Sequence, residues 1–189
     1  MGALLGFSRV VDAVNDRVGR ALSWLILASV LVSSGNALVR YALDTSSNAW
    51  LELQWYLYSA VFLLCSGYAL GRNDHIRIDI VNTRLPPRVR AWIDIFGGLF
   101  FLLPMALIIL WLSIPMVEES IVRHEVSADA GGLLRWPVKI LIPIAFALLA
   151  LQGMSEIIKR IAFLMGRIPD PGDKHGGHST VAEVMAETT

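Results

Sequence analysis

The side chains best suited to chemistry are few and badly placed for it. Histidines stand at 75, 124, 175 and 178, and the one cysteine at 65. A membrane-bound haem needs axial imidazoles inside its helical bundle, yet all four histidines fall outside the long apolar runs. His175 and His178 offer at best a loose metal grip; a solvated tail rich in Gly, His, Asp and Thr explains them more simply. Cys65 sits in the middle of an apolar run with no second cysteine to pair with. No nucleophile–base pair, glycine-rich phosphate loop or pair of mid-membrane carboxylates is present. The chain is therefore not expected to be an enzyme, nor to hold a cofactor or metal or bind nucleic acid.

The elements that position these residues are four apolar stretches. Ala21–Val39 and Leu53–Gly71 each run 19 residues without a charge, and Ile95–Val117 runs 23. Ile140–Ser155 runs 16, and reaches about 20 with Lys139 and Glu156 at the interfaces. A hydrocarbon core about 30 Å thick takes roughly 20 helical residues at 1.5 Å each. Hydrophobic residues make up 55% of the chain and the mean hydropathy is +0.58, more apolar surface than a soluble domain can cover. Soluble helices also keep a polar face, which these runs lack.

The expected fold is all-α: an integral membrane protein with four transmembrane helices, over about 21–43, 50–71, 91–117 and 137–158 of a membrane domain 21–165. Residues 1–20 form an amphipathic segment in which Phe7, Val10, Val11, Val14 and Val18 recur at helical spacing. It can lie flat on the inner leaflet or extend the first helix, and the sequence leaves both open. The tail 166–189 is expected to be disordered.

Charge sets the orientation. Of 16 Lys and Arg, 12 lie before the first span, between the second and third, or after the fourth, whereas Arg40, Arg123, Arg135 and Lys139 lie on the other side. The positive-inside rule then puts both termini in the cytoplasm. The first apolar run is too long for a signal-peptide core, and Asp12 and Asp16 interrupt what precedes it, so it reads as an uncleaved signal anchor. Trp92 and Trp111 are 19 residues apart, about 28 Å along a helix, as anchors in opposite interfaces would be.

No ionisable group falls at mid-depth in any span. Arg40 lies 20 residues beyond Arg20, about 30 Å on and thus at the outer interface, where Glu52 opens the second span. An outer-end ion pair of Arg40 with Glu52, or with Asp44 four residues along, is expected to pin the first two helices; independent snorkelling is the alternative. Gly67 and Gly71 have GxxxG spacing and Ser29 and Ser33 stand at i, i+4, patterns that let helices pack closely. Gln54, Asn36 and Gln152 are candidates for hydrogen bonds between helices. Pro104, Pro115 and Pro143 read as kinks, since no acidic or amide group accompanies them at mid-depth.

The stretch Gly67-Tyr-Ala-Leu-Gly-Arg-Asn-Asp-His75-Ile-Arg-Ile-Asp79-Ile, with Leu85-Pro86-Pro87-Arg-Val-Arg90-Ala-Trp-Ile-Asp94 after it, resembles one family. It is similar to the small membrane (Q-type) subunit of tripartite ATP-independent periplasmic (TRAP) transporters. Trp50-Leu-Glu52 at the start of the second span is similar too. The resemblance implies a bacterial inner-membrane system in which a periplasmic binding protein delivers an organic acid to two membrane subunits. The large one binds substrate and sodium and moves; the small one, this chain, scaffolds it in the lipid.

On that basis His75, Arg77, Asp79, Arg84, Arg88 and Arg90 are candidates for locking the inner loop or touching the large subunit, against a plain solvated loop. Glu118, Glu119 and Asp129 are candidates for docking the binding protein. The alternative function is a stand-alone small oligomeric transporter or exporter. It would need an essential membrane-embedded acid, and Glu52 lies too shallow to be one. An electron-transfer subunit lacks ligands within its spans.

Overall fold

The first apolar run continues a helix already under way. In this computed structural model, which describes residues 2–44, 47–72 and 85–171, α1 spans Gly2–Leu43 without a break. The amphipathic segment is thus an extension of the first span, not a separate surface helix. No proline interrupts it, and 42 residues make a rod about 63 Å long, roughly twice the hydrocarbon thickness. Asp44 ends it with a φ of 50° in the left-handed region.

Helix α2, Asn48–Arg72, returns antiparallel to α1. Helix α3, Pro87–Gly97, opens on a proline whose missing N–H is no loss in a first turn. It runs through a π-turn at Gly98–Leu102 into α4, Leu103–Val122. Pro104 is the physical cause: without an N–H it cannot close onto the Phe100 carbonyl. The ladder widens by one residue, and the Leu103 N–H reaches Gly98 O. A single turn, α5 (Trp136–Lys139), leads into α6, Leu141–Leu164. Gly166, at φ 69°, closes α6: its N–H donates to Phe163 O at 2.8 Å, and that of Arg167 to Ala162 O at 3.0 Å. Turns follow α6, and Asp170 comes back to pair with Arg160; residues 172–189 of the tail lie outside the described residues.

Four helical units, α1, α2, α3–α4 and α5–α6, are long and apolar enough to cross a membrane. They do not close into a four-sided bundle. Helix α6 is the hub: it packs on α1, on α2, and on α3 and α4, whereas α1 and α2 pack on each other and the α3–α4 arm leans on α5 and α6. In the most apolar window of each unit, 28% of residues are buried in α5–α6 against 6–11% in the others. Small residues allow the close approach at the hub, since a Cβ on Gly153 would come 2.5 Å from Leu102 Cδ2. Most apolar surface, including Phe62, Phe101 and Trp111, faces outward.

Candidate functional site

Polar side chains gather at the two ends of the molecule. The near end, where α1 begins and α6 finishes, holds a network that joins those two helices. Asp12 and Asn15 share one face of α1; Gln152, Ser155, Glu156 and Lys159, at i, i+3, i+4 and i+7, share one face of α6. Asn15 Nδ2 donates to Gln152 Oε1 at 2.8 Å. Gln152 Nε2 donates in turn to Asp12 Oδ1 at 2.8 Å and Glu156 Oε1 at 3.1 Å. The Ser155 hydroxyl reaches Asp12 Oδ1 at 3.0 Å. Lys159 Nζ bridges Asp12 Oδ2 at 3.1 Å and Glu156 Oε1 at 2.5 Å. Both amides are buried.

Two glycines of α2 make room for them. A Cβ on Gly67 would stand 2.4 Å from Asn15 Oδ1, and one on Gly71 would stand 2.7 Å from Gln152 Nε2. Asn15 Oδ1 itself accepts no hydrogen bond among the described residues and sits close against Gly67. The rim is neutralised by ion pairs. Asp16 meets Arg20 at 3.1 Å and Arg72 at 3.0 Å. Arg160, buried, lies between Asp94 at 3.1 Å and Asp170 at 3.0 Å. Network and rim together tie α1, α2, α3 and α6 to one another.

The far end is built around Glu52. His124, at φ 48°, turns the chain out of α4, and residues 123–135 form a loop. The loop is closed by Ser127 N–H to Leu133 O at 3.0 Å and Arg135 N–H to Glu125 O at 2.9 Å. Glu52 latches this loop onto α2: one carboxylate oxygen accepts the Ser127 hydroxyl and the other the Leu133 N–H at 2.6 Å. The Tyr56 hydroxyl donates to Leu134 O and Asn48 Nδ2 to Ala130 O, both at 3.0 Å. Lys139 bonds Glu125, and this contact holds the Glu125 carboxyl below its ordinary value of 4.5.

The expected Arg40 pairing is not the one formed. Both oxygens of Glu52 are taken by the loop, and Arg40, exposed, makes no ion pair with Glu52 or Asp44. The physical reason is entropic: a fixed backbone N–H and a short hydroxyl reach the carboxylate without immobilising a long side chain. Glu118 is exposed, Glu119 pairs with Arg123 at 2.7 Å, and the Asp129 N–H donates to Ser127 Oγ at 3.3 Å. Arg88 is exposed and Arg90 half-buried at the start of α3. His75, Arg77, Asp79 and Arg84 lie outside the described residues. Ser29 is buried and donates to Leu25 O at 2.8 Å, whereas Ser33, one turn on, makes no such bond. The sequence reading does not pick out Asp12 and Asn15 as partners of Gln152; the available signal is a polar flank of Ser8, Asp12 and Asn15, at i, i+4 and i+7, beside the apolar stripe of α1.

A family model described as tripartite ATP-independent periplasmic transporters, DctQ component, matches residues 29–163. The chain belongs to the DctQ family. It is the small membrane component of a TRAP transport system, in agreement with the resemblance seen around residues 67–94. No curated protein and no solved structure matches the chain. The DctQ match takes in the Glu52 latch, both glycines of α2 and the α6 half of the near-end network, whereas Asp12 and Asn15 precede it.

Proposed function

We propose that this DctQ chain is a static scaffold for the large membrane subunit, in a system that takes up an organic acid by sodium coupling from a periplasmic binding protein. One observation carries the reading. Charged side chains among the described residues collect at the two ends, with none at mid-depth, while the spans between are apolar and mostly unburied. A subunit that carries solute or ion needs an ionisable group deep in the bilayer, whereas a scaffold needs anchors and apolar area for a neighbour.

The distribution of Lys and Arg supports a cytoplasmic near end, with both termini inside and the chain in the inner membrane. On this reading the far-end acids Glu118, Glu119 and Asp129 face the binding protein, and the segment from His75 to Arg90 meets the large subunit. Uptake by host cells expressing the binding protein and large subunit, with and without this chain, tests the assignment. Uptake that requires all three components supports it; undiminished uptake without this chain overturns it.

A further inference from the structure

We infer that the face of α1 carrying Ser33, Asn36 and Arg40, completed by Gln54 of α2, is the surface on which a polar transmembrane helix of the large subunit docks. The inference rests on the scaffold reading and adds the face and its chemistry. Ser33, Asn36 and Arg40 stand at i, i+3 and i+7 and so form one stripe. With Asp44 and Gln54 they line an open groove of about 480 Å³ between the far halves of α1 and α2. None of Ser33, Asn36, Arg40 or Gln54 makes a side-chain hydrogen bond or ion pair among the described residues. Arg40 and Asp44 share the groove without bonding each other.

Depth decides the occupant. Asn36 and Ser33 lie about 6 Å and 10 Å along the helix below Arg40, toward the hydrocarbon. A lipid headgroup can answer Arg40 at the interface, but acyl chains offer nothing to an amide or hydroxyl farther in. Polar groups left unanswered at that depth call for another helix with its own carboxamides or hydroxyls and a carboxylate level with Arg40. A second copy fits poorly. Two copies inserted the same way and related by a two-fold along the membrane normal would set Arg40 beside Arg40.

The adjoining surface suits close helix packing. Asn36 also borders an apolar groove of about 360 Å³ lined by Leu31, Gly35, Val39 and Trp50. Gly35 has open space where a Cβ would be, room for a partner backbone to approach.

The test places a photo-crosslinking amino acid at position 36, and at position 101 on the α4 face as control, in the full chain co-expressed with the large subunit. The expected result is a crosslink to the large subunit from position 36 and none from 101. In parallel, Asn36→Leu with Arg40→Leu is expected to lower recovery of the large subunit about five-fold or more, with the variant chain itself as abundant in the membrane as wild type. Crosslinking from 36 to lipid alone, to a second copy of this chain, or from 101 only, with the wild-type pair still co-purifying, overturns this inference and leaves the scaffold reading intact. Failure of the wild-type pair to co-purify overturns both.

Discussion

The near-end network and the far-end groove use the same kinds of side chain for opposite ends. At the near end Asn15, Gln152, Asp12 and Lys159 spend their hydrogen bonds on one another across α1 and α6. In the far-end groove Ser33, Asn36, Arg40 and Gln54 make no side-chain bond within the chain. Polar groups at the depth of the hydrocarbon are answered by protein, since acyl chains answer none of them. Those answered inside the chain stabilise its fold; those left open mark where a second polypeptide is needed. If that distinction is sound, substitutions at the two places should fail in different ways.

The largest effect is expected from Gln152→Leu. It removes the donor to both Asp12 and Glu156 and the acceptor for Asn15, leaving buried polar groups uncompensated at a cost of about 2–4 kcal/mol. Thermal unfolding of the purified chain in detergent checks this; a midpoint equal to wild type would break the contrast with the groove. Gly67→Val comes next. Its Cβ would overlap Asn15 Oδ1, and forcing α1 from α2 costs about 1–3 kcal/mol by the same measurement.

Glu52→Ala removes the acceptor of the Ser127 hydroxyl and the Leu133 N–H, a loss confined to the loop. Proteolysis of residues 123–135 should accelerate while the unfolding midpoint of the bundle barely moves. The Glu125–Lys139 contact has a pH signature. Because Glu125 is held below 4.5, the contact's contribution is complete above that value and is lost as pH falls through the lowered one. Hydrogen exchange in the loop should therefore be insensitive to this pair from neutral pH down to about 5 and rise relative to a Lys139→Met control only in stronger acid. The smallest effect sharpens the comparison most: Asn36→Leu should change the stability of the isolated chain by less than about 0.5 kcal/mol.

The spans were legible in the sequence because length and hydrophobicity are additive along a helix. Partners were not, and Glu52 shows why. Rise per residue places Glu52 and Arg40 at one level, but rotation about the helix axis decides which neighbour a side chain meets, and Glu52 faces the loop 81 residues away. Gln152 was recognisable as a polar residue in an apolar run, yet its partners on α1 lie 137 and 140 residues earlier, beyond the reach of any local pattern. The continuity of α1 was a matter of two open alternatives, settled by packing of its first turns on α6, where the Ser8 hydroxyl meets Ser155 O at 3.4 Å. The π-turn at Gly98–Leu102 follows from Pro104, but a kinked α-helix satisfies the same proline, so the sequence alone did not distinguish them.

The central claim, that this chain supports a moving neighbour and moves no solute itself, is tested most directly in liposomes holding purified components. With a sodium gradient and the binding protein present, vesicles containing this chain alone should accumulate no labelled organic acid above empty vesicles, and vesicles containing it together with the large subunit should accumulate it. Accumulation by the chain alone would contradict the account.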